Sequence, residues 1–285
     1  MLKQNTKPSK TNNPPITLIL QVFTWIEVLV LTAASIVLFF FPEISNSRWV
    51  WQITPFNSHF LGAVYLAAIV PTAMLLVVRQ WKIARLIVPM QLTFTSILLI
   101  VSLFYLERFN FSRRITWGWF FLYTIIPLTT ACHIWLYRRL RPVESTFVSS
   151  PWRFYLRVQT FLLTLYGLGL LFAPNTFTAF WPWKVDSFHG QLYSAVFFTL
   201  AIGAFLLSRV CLYTELFTLG LTEFALGLTQ ILGVLKADAK LHKINWSIPS
   251  TWFWISIFVL LLVSGVAMIL QSQRTVTSNS VTSDQ

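Results

Sequence analysis

The sequence predicts an all-α integral membrane protein, with eight transmembrane helices arranged as two parallel four-helix repeats. Three observations lead there. Of 285 residues, 56% are hydrophobic and only 11% charged, whereas an ordinary soluble domain has about 25% charged residues. Eight apolar stretches are each long enough to cross a bilayer, which takes about 20 residues. A short pattern of one proline, two tryptophans and a phenylalanine also occurs twice at one spacing.

The spans fall near 16–41, 60–78, 83–105, 116–137, 154–173, 191–210, 214–235 and 251–271. Lys3, Lys7 and Lys10 precede the first, as in a secretory signal. That run is too long for a signal core and lacks a small-x-small cleavage site, so it is expected to remain as a span. Polar tails at 1–15 and 272–285 are expected to be disordered. A cytoplasmic linker at 142–153 then divides repeats at 16–141 and 154–271.

A net charge of +12 would suggest nucleic acid in a soluble protein. Here the basic residues sit at the ends of apolar runs, where they set topology, and no nucleic-acid partner is expected. With the N-terminus inside, thirteen Lys and Arg fall inside and eight outside. Both termini are therefore expected in the cytoplasm. Nine of thirteen tryptophans then lie toward the outer side, where indole rings suit the headgroup level. Cys132 and Cys211 form no CxxC and no metal-like cluster, so buried, inert and unbridged thiols are expected.

The recurring pattern is FPEISNSRWVWQITPF at 41–56 and APNTFTAFWPWKVDSF at 173–188. Sliding residues 31–65 onto 163–197 gives ten identities, including Pro42, Trp49, Trp51 and Phe56 with Pro174, Trp181, Trp183 and Phe188. The offset is 132 residues without a gap, and it maps spans one to four onto five to eight. Farther on, WFF at 119–121 meets WFW at 252–254 after one inserted residue. An even number of spans per repeat makes the two repeats parallel, related by an axis along the membrane normal. Proline ends a helix at each corner, and the Trp pair and Phe anchor the turn. Anchoring alone explains these rings; the alternative is that the corners flank an outward-facing groove for a lipid-like ligand.

The W-x-W-x4-F corner followed by a small-residue span resembles a set of bacterial eight-span membrane proteins that has no established activity. The likeness covers 42–65 and 174–197 and implies a bacterial inner-membrane setting without implying any chemistry. This chain departs from a clean repeat in placing His59 in one corner and His189 at a different position in the other.

Chemical motifs are scarce. The chain has no H-E-x-x-H, G-x-S-x-G, G-x-G-x-x-G or P-loop. Nine acidic residues give no metal-binding pair, and only His133 is clearly intramembrane, which leaves no bis-histidine haem site. No cofactor is expected. Pro71, Pro89 and Pro127 interrupt spans two to four without proline counterparts, which weakens a carrier built on broken helices. In span seven, Gly220, Glu223, Gly227 and Gln230 share one face, and span six carries Ala195, Thr199 and Gly203. Helix packing explains both stripes, with a ligand path as the alternative.

One polar set obeys the 132-residue offset. Glu27 corresponds to Gln159, and Gln91 to Glu223, so each repeat carries one acid and one amide in exchanged positions. His133 has a similar depth. Carboxyls in hydrocarbon should face the protein interior, where a neutral acid can donate a hydrogen bond to a glutamine carbonyl. These contacts are expected either to lock the repeats together or to line a polar pocket.

The expected function is non-enzymatic: a membrane-embedded binding or accessory protein for an apolar or lipid-like ligand or a membrane protein partner. The rivals are a small-solute carrier using the repeat interface and an intramembrane enzyme acting on a lipid or quinone. The enzyme requires His133 and Glu223 to converge. The carrier requires a cavity between the halves.

Overall fold

The computed structural model describes residues 13–140 and 149–283, with backbone alone at Asn46 and 274–283. Residues 1–12 of the expected 1–15 tail, 142–148 of the expected 142–153 linker and the last two residues lie outside the described residues, and from Ser150 the rest of that linker is helix. Eight helices are long and apolar enough to cross a membrane, and no strand occurs among the described residues.

These long helices are α1 (Leu18–Ser35, continued by a π-helical turn Ile36–Phe40), α3 (Pro55–Val78), α4 (Trp81–Phe104) and α5 (Arg114–Tyr137), then α6 (Ser150–Phe172), α8 (Ser187–Arg209), α9 (Tyr213–Leu241) and α10 (Pro249–Ser283). Two short helices, α2 (Pro42–Arg48) and α7 (Pro174–Phe177), turn the corners after the first and fifth spans. Each opens on the expected proline at its first position, where the missing N–H has no helical partner to lose. The preceding Phe41 and Ala173 leave helical geometry, with φ near −129° and −136°, and so break the long helices there.

Two boundaries extend beyond the apolar runs. The seventh span continues to Leu241, past the expected end at 235, because its last charges have partners. Lys236 donates to the Phe39 carbonyl, Lys240 meets Glu43, and Asp238 accepts from the backbone of Lys243 and Ile244 and from the Trp246 indole. The eighth helix continues through Ser283, so most of the tail expected after 271 is helical.

The packing has inner and outer rows. Inner helices α3 and α9 pack together, as do α4 and α8. Outer helix α1 rests on α3, α5 on α4, α6 on α8, and α10 on α9. The α9–α10 seam is close because glycines allow it: a Cβ on Gly227 would meet the Phe258 carbonyl at 2.4 Å, and one on Gly265 the Gly220 carbonyl at 2.5 Å. The glycines of the span-seven stripe therefore serve packing, as small residues do in membranes.

Loops 41–54, 105–113, 173–186 and 242–248 meet at one end, tied by Asn110 N–H to Val50 O, Arg108 to Asp186, and Lys240 to Glu43. At the other end, Arg85 holds Glu215 bidentately, with both contacts at 2.6 Å, and also donates to the Val210 carbonyl. This forked pair joins α4 to the start of α9 in a geometry that suits guanidinium and carboxylate.

Candidate functional site

The tryptophan corners are core. Trp49, Trp51, Trp181 and Trp183 are 4–8% exposed, where headgroup anchoring predicts rings on the outside. Trp49 packs edge-on to Trp51, and Trp181 to Trp183; three of the four indoles find an acceptor inside the protein, which satisfies the N–H as well as an interface does. Trp51 donates its N–H to His189 Nε2 at 3.0 Å, and Trp183 donates to Asn57 Oδ1 at 2.9 Å. Trp51 packs edge-on to Phe188 at 5.2 Å, and Trp183 stacks on Phe56 at 5.5 Å. The two sets are reciprocal: each corner reaches the helix start that follows the other, at the 132-residue offset.

These helix starts are capped alike. Thr54 accepts from the Asn57 backbone N–H, and Asp186 from that of His189. Because His189 Nε2 accepts from Trp51, its Nδ1 carries the proton and donates to Asp186 at 2.7 Å. Burial alone would raise the Asp186 carboxyl, but His189 and the neighbouring Arg108 hold it down at about 2.

Trp119 and Trp254 complete the cluster, 5.0 Å from Trp51 and Trp183 respectively. The hydrogen bonds beside them match at a different offset from that of WFF and WFW. Thr116 donates to Asn110 O and Thr251 to Asn245 O, while Trp117 donates to Phe111 O and Trp252 to Trp246 O. TWGW at 116–119 thus answers TWFW at 251–254, three residues beyond the 132-residue offset instead of one. The space beside Trp51 and Trp119 is about 10 Å³, close to the minimum for one water. The outward-facing groove considered between the corners is filled by the rings themselves.

The acid–amide pairs form within each half. Gln91 Nε2 donates to Glu27, joining α4 to α1, and Gln159 Nε2 donates to Glu223 Oε1 at 2.6 Å, joining α6 to α9. Each pair therefore braces an outer helix against an inner one instead of locking one half to the other. Ser264 on α10 gives its hydroxyl to the second oxygen of Glu223. The bond direction also differs from expectation. The amide N–H donates, and the buried carbonyl oxygens of Gln91 and Gln159 have no partner.

His133 stands apart. Its Nδ1 donates to the Thr129 carbonyl and its Nε2 accepts from Thr17, which in turn caps α1. Glu223 bonds between α6 and α10, so the two do not converge on one pocket, and the acid–base pair that the enzyme reading requires is not assembled. Gln230 donates to Phe60 O on α3, away from the glycine seam. Cys132 is exposed on α5 instead of buried, whereas Cys211 is buried and its thiol is pushed up by that burial. Neither forms a disulfide.

Two cavities adjoin the acid–amide pairs. The first, about 120 Å³, is lined by Glu27, Gln91 and Tyr123 together with Thr199 and Thr222 of the second half. The second is a groove of about 1020 Å³ between α6 and α10, lined by Gln159 and Ser264 and walled by aromatic rings. Its volume lies at the upper end of small-molecule sites.

The residues that sequence reasoning misses are Asn57, Asp186 and Ser264. The offset carries a signal for the first two, since it pairs Asn57 with His189 and Thr54 with Asp186. Ser264 falls opposite Thr129 only at the later offset of 135 residues. Among described residues no group of three His, Cys, Asp or Glu could hold a metal ion. The chain matches no protein-family model, no curated protein and no solved structure.

Proposed function

We propose that this chain is a multi-pass protein of the bacterial inner membrane that binds an apolar, lipid-like molecule in the α6–α10 groove and performs no chemistry on it. The observation that carries the reading is that groove: α6 and α10 each pack on an inner helix, and between them lie aromatic walls with one acid–amide pair beneath. Such a lining, largely apolar with a few placed polar groups, is what small-molecule sites share.

The scaffold in this reading is two parallel four-helix repeats. The reciprocal Trp51–His189 and Trp183–Asn57 bonds support it, as do the matched caps and the matched acid–amide pairs. The Lys and Arg distribution supports both termini in the cytoplasm, with the Trp cluster toward the outer side.

Small-solute carriage is the second reading. The 120 Å³ cavity favours it, because side chains of both halves line that space. The two readings differ in what travels with the protein. Native mass spectrometry of gently extracted protein tests the first: one lipid-sized adduct is expected, lost when Leu260→Trp fills the groove. No adduct, or one indifferent to that substitution, contradicts it.

A further inference from the structure

Of the two acids in the acid–amide pairs, only one is complete. Glu223 accepts at both carboxyl oxygens, from Gln159 and from Ser264, and is 0% exposed. Glu27 is 7% exposed and accepts at Oε2 alone, from Gln91. Nothing donates to its Oε1, which keeps accessible surface. Glu27 lines the 120 Å³ cavity to which side chains of both halves contribute. Protonated at Oε1, the acid would carry an O–H without an acceptor; ionised, it would carry a charge without a counterion. Either is costly in apolar surroundings.

The rest of the lining indicates what completes it. Thr72, Thr95, Thr199 and Thr222 each give their hydroxyl hydrogen to a carbonyl of their own helix. Toward the cavity their oxygens can therefore only accept. No lining residue among those described carries a positive charge. The walls are otherwise aliphatic, with the rings of Phe94 and Tyr123, and an aromatic face attracts a cation. The volume of about 120 Å³ is close to that of a cavity that admits one benzene ring. Val30 belongs to the lining and is 40% exposed, so the cavity opens on the outer side of α1.

We infer that this cavity binds a small hydrophobic amine in its ammonium form, with an N–H donating to Glu27 Oε1 and the hydrocarbon against the apolar walls. The site is separate from the α6–α10 groove. It rests on the cavity of the carriage reading and gives that reading its class of solute, a singly charged organic cation, while requiring only that the solute bind there.

Equilibrium dialysis of the full chain in nanodiscs of neutral lipid, with empty nanodiscs subtracted, compares three labelled probes of similar shape. They are cyclohexylamine, which is charged at neutral pH, cyclohexanol and cyclohexanecarboxylate. One saturable amine site per chain is expected, about tenfold tighter than the alcohol, because a hydrogen bond to a charged group outweighs a neutral one. The carboxylate should not bind. Glu27→Gln should reduce the amine to the level of the alcohol. Thr199→Phe, which fills the cavity from the second half, should abolish both. If either variant fails to fold, the amine-to-alcohol ratio in the native protein decides. Equal binding of amine and alcohol, tighter binding of the carboxylate, or amine binding indifferent to Glu27→Gln overturns the inference and leaves a small-solute cavity of another kind. Amine binding that survives Thr199→Phe overturns it as well, since the site then lies elsewhere. If no probe saturates, the inference and the carriage reading fall together, and the groove reading is untouched.

Discussion

Trp51 of the first corner donates its indole N–H to His189 at the start of α8, 138 residues along the chain. The same bond made by Trp183 ends on Asn57. One half thus uses an imidazole nitrogen, and the other an amide oxygen, to accept an indole N–H in a buried aromatic cluster. His189→Asn should therefore fold with a loss of less than about 1 kcal/mol, whereas His189→Phe strands the indole donor and costs about 1–3 kcal/mol. Thermal unfolding in one detergent, followed by Trp fluorescence, measures both. Equal losses for the two variants would show that the acceptor is unimportant.

The acid–amide pairs act as braces. Glu223→Gln retains an acceptor for Gln159 and a partner for Ser264, so its stability should stay within about 1 kcal/mol of the parent. Glu223→Leu leaves the Gln159 amide unpaired in the core and should lose about 1–3 kcal/mol. Glu27→Gln and Glu27→Leu should behave in parallel against Gln91. The same unfolding assay checks the four variants, and a tolerated leucine at both sites would refute the bracing role.

Asp186 makes a pH-dependent contribution of definite sign. Its folded pKa of about 2 lies below the ordinary carboxylate value of about 3.9. The contribution is thus complete above about pH 4 and is lost as pH falls through about 2. Asp186→Asn keeps the cap and an acceptor for His189, so it should remove that part of the acid slope and change little at neutral pH. The difference between parent and variant unfolding midpoints, followed from neutral pH down through the folded pKa, reads it directly; an unchanged slope would sink the assignment.

Orientation is tested in the exposed loops, since Asn57 is buried and unsuited to labelling. Ser112→Cys and Ser247→Cys, in a Cys132→Ser background, should react with a membrane-impermeant maleimide from outside intact cells. Labelling that requires cell lysis would place the Trp cluster in the cytoplasm.

The eight long apolar helices are legible in the sequence because a helix able to cross lipid must pair its backbone groups within itself and so takes a long apolar run. The acid–amide exchange at Glu27, Gln91, Gln159 and Glu223 is legible as an offset. Its partners are not, since an offset relates the halves without showing which helices touch. Trp51 and Trp181 are misplaced by composition because a headgroup-level indole and a core indole need the same neighbours: apolar atoms and one acceptor. The T-W-x-W strings at 116 and 251, whose Thr and first Trp make matching hydrogen bonds, are masked in the sequence by WFF and WFW. The groove has no sequence signal, because the gap between α6 and α10 depends on how each packs on an inner helix, not on its hydropathy.

The groove's occupancy is the central claim, and an experimental density map of the protein in nanodiscs made from its own membrane tests it most directly. The account predicts elongated density along the α6–α10 groove, absent from the Leu260→Trp variant. A map in which α6 closes against α10, or in which the groove holds only the disordered lipid found around the other helices, would contradict it.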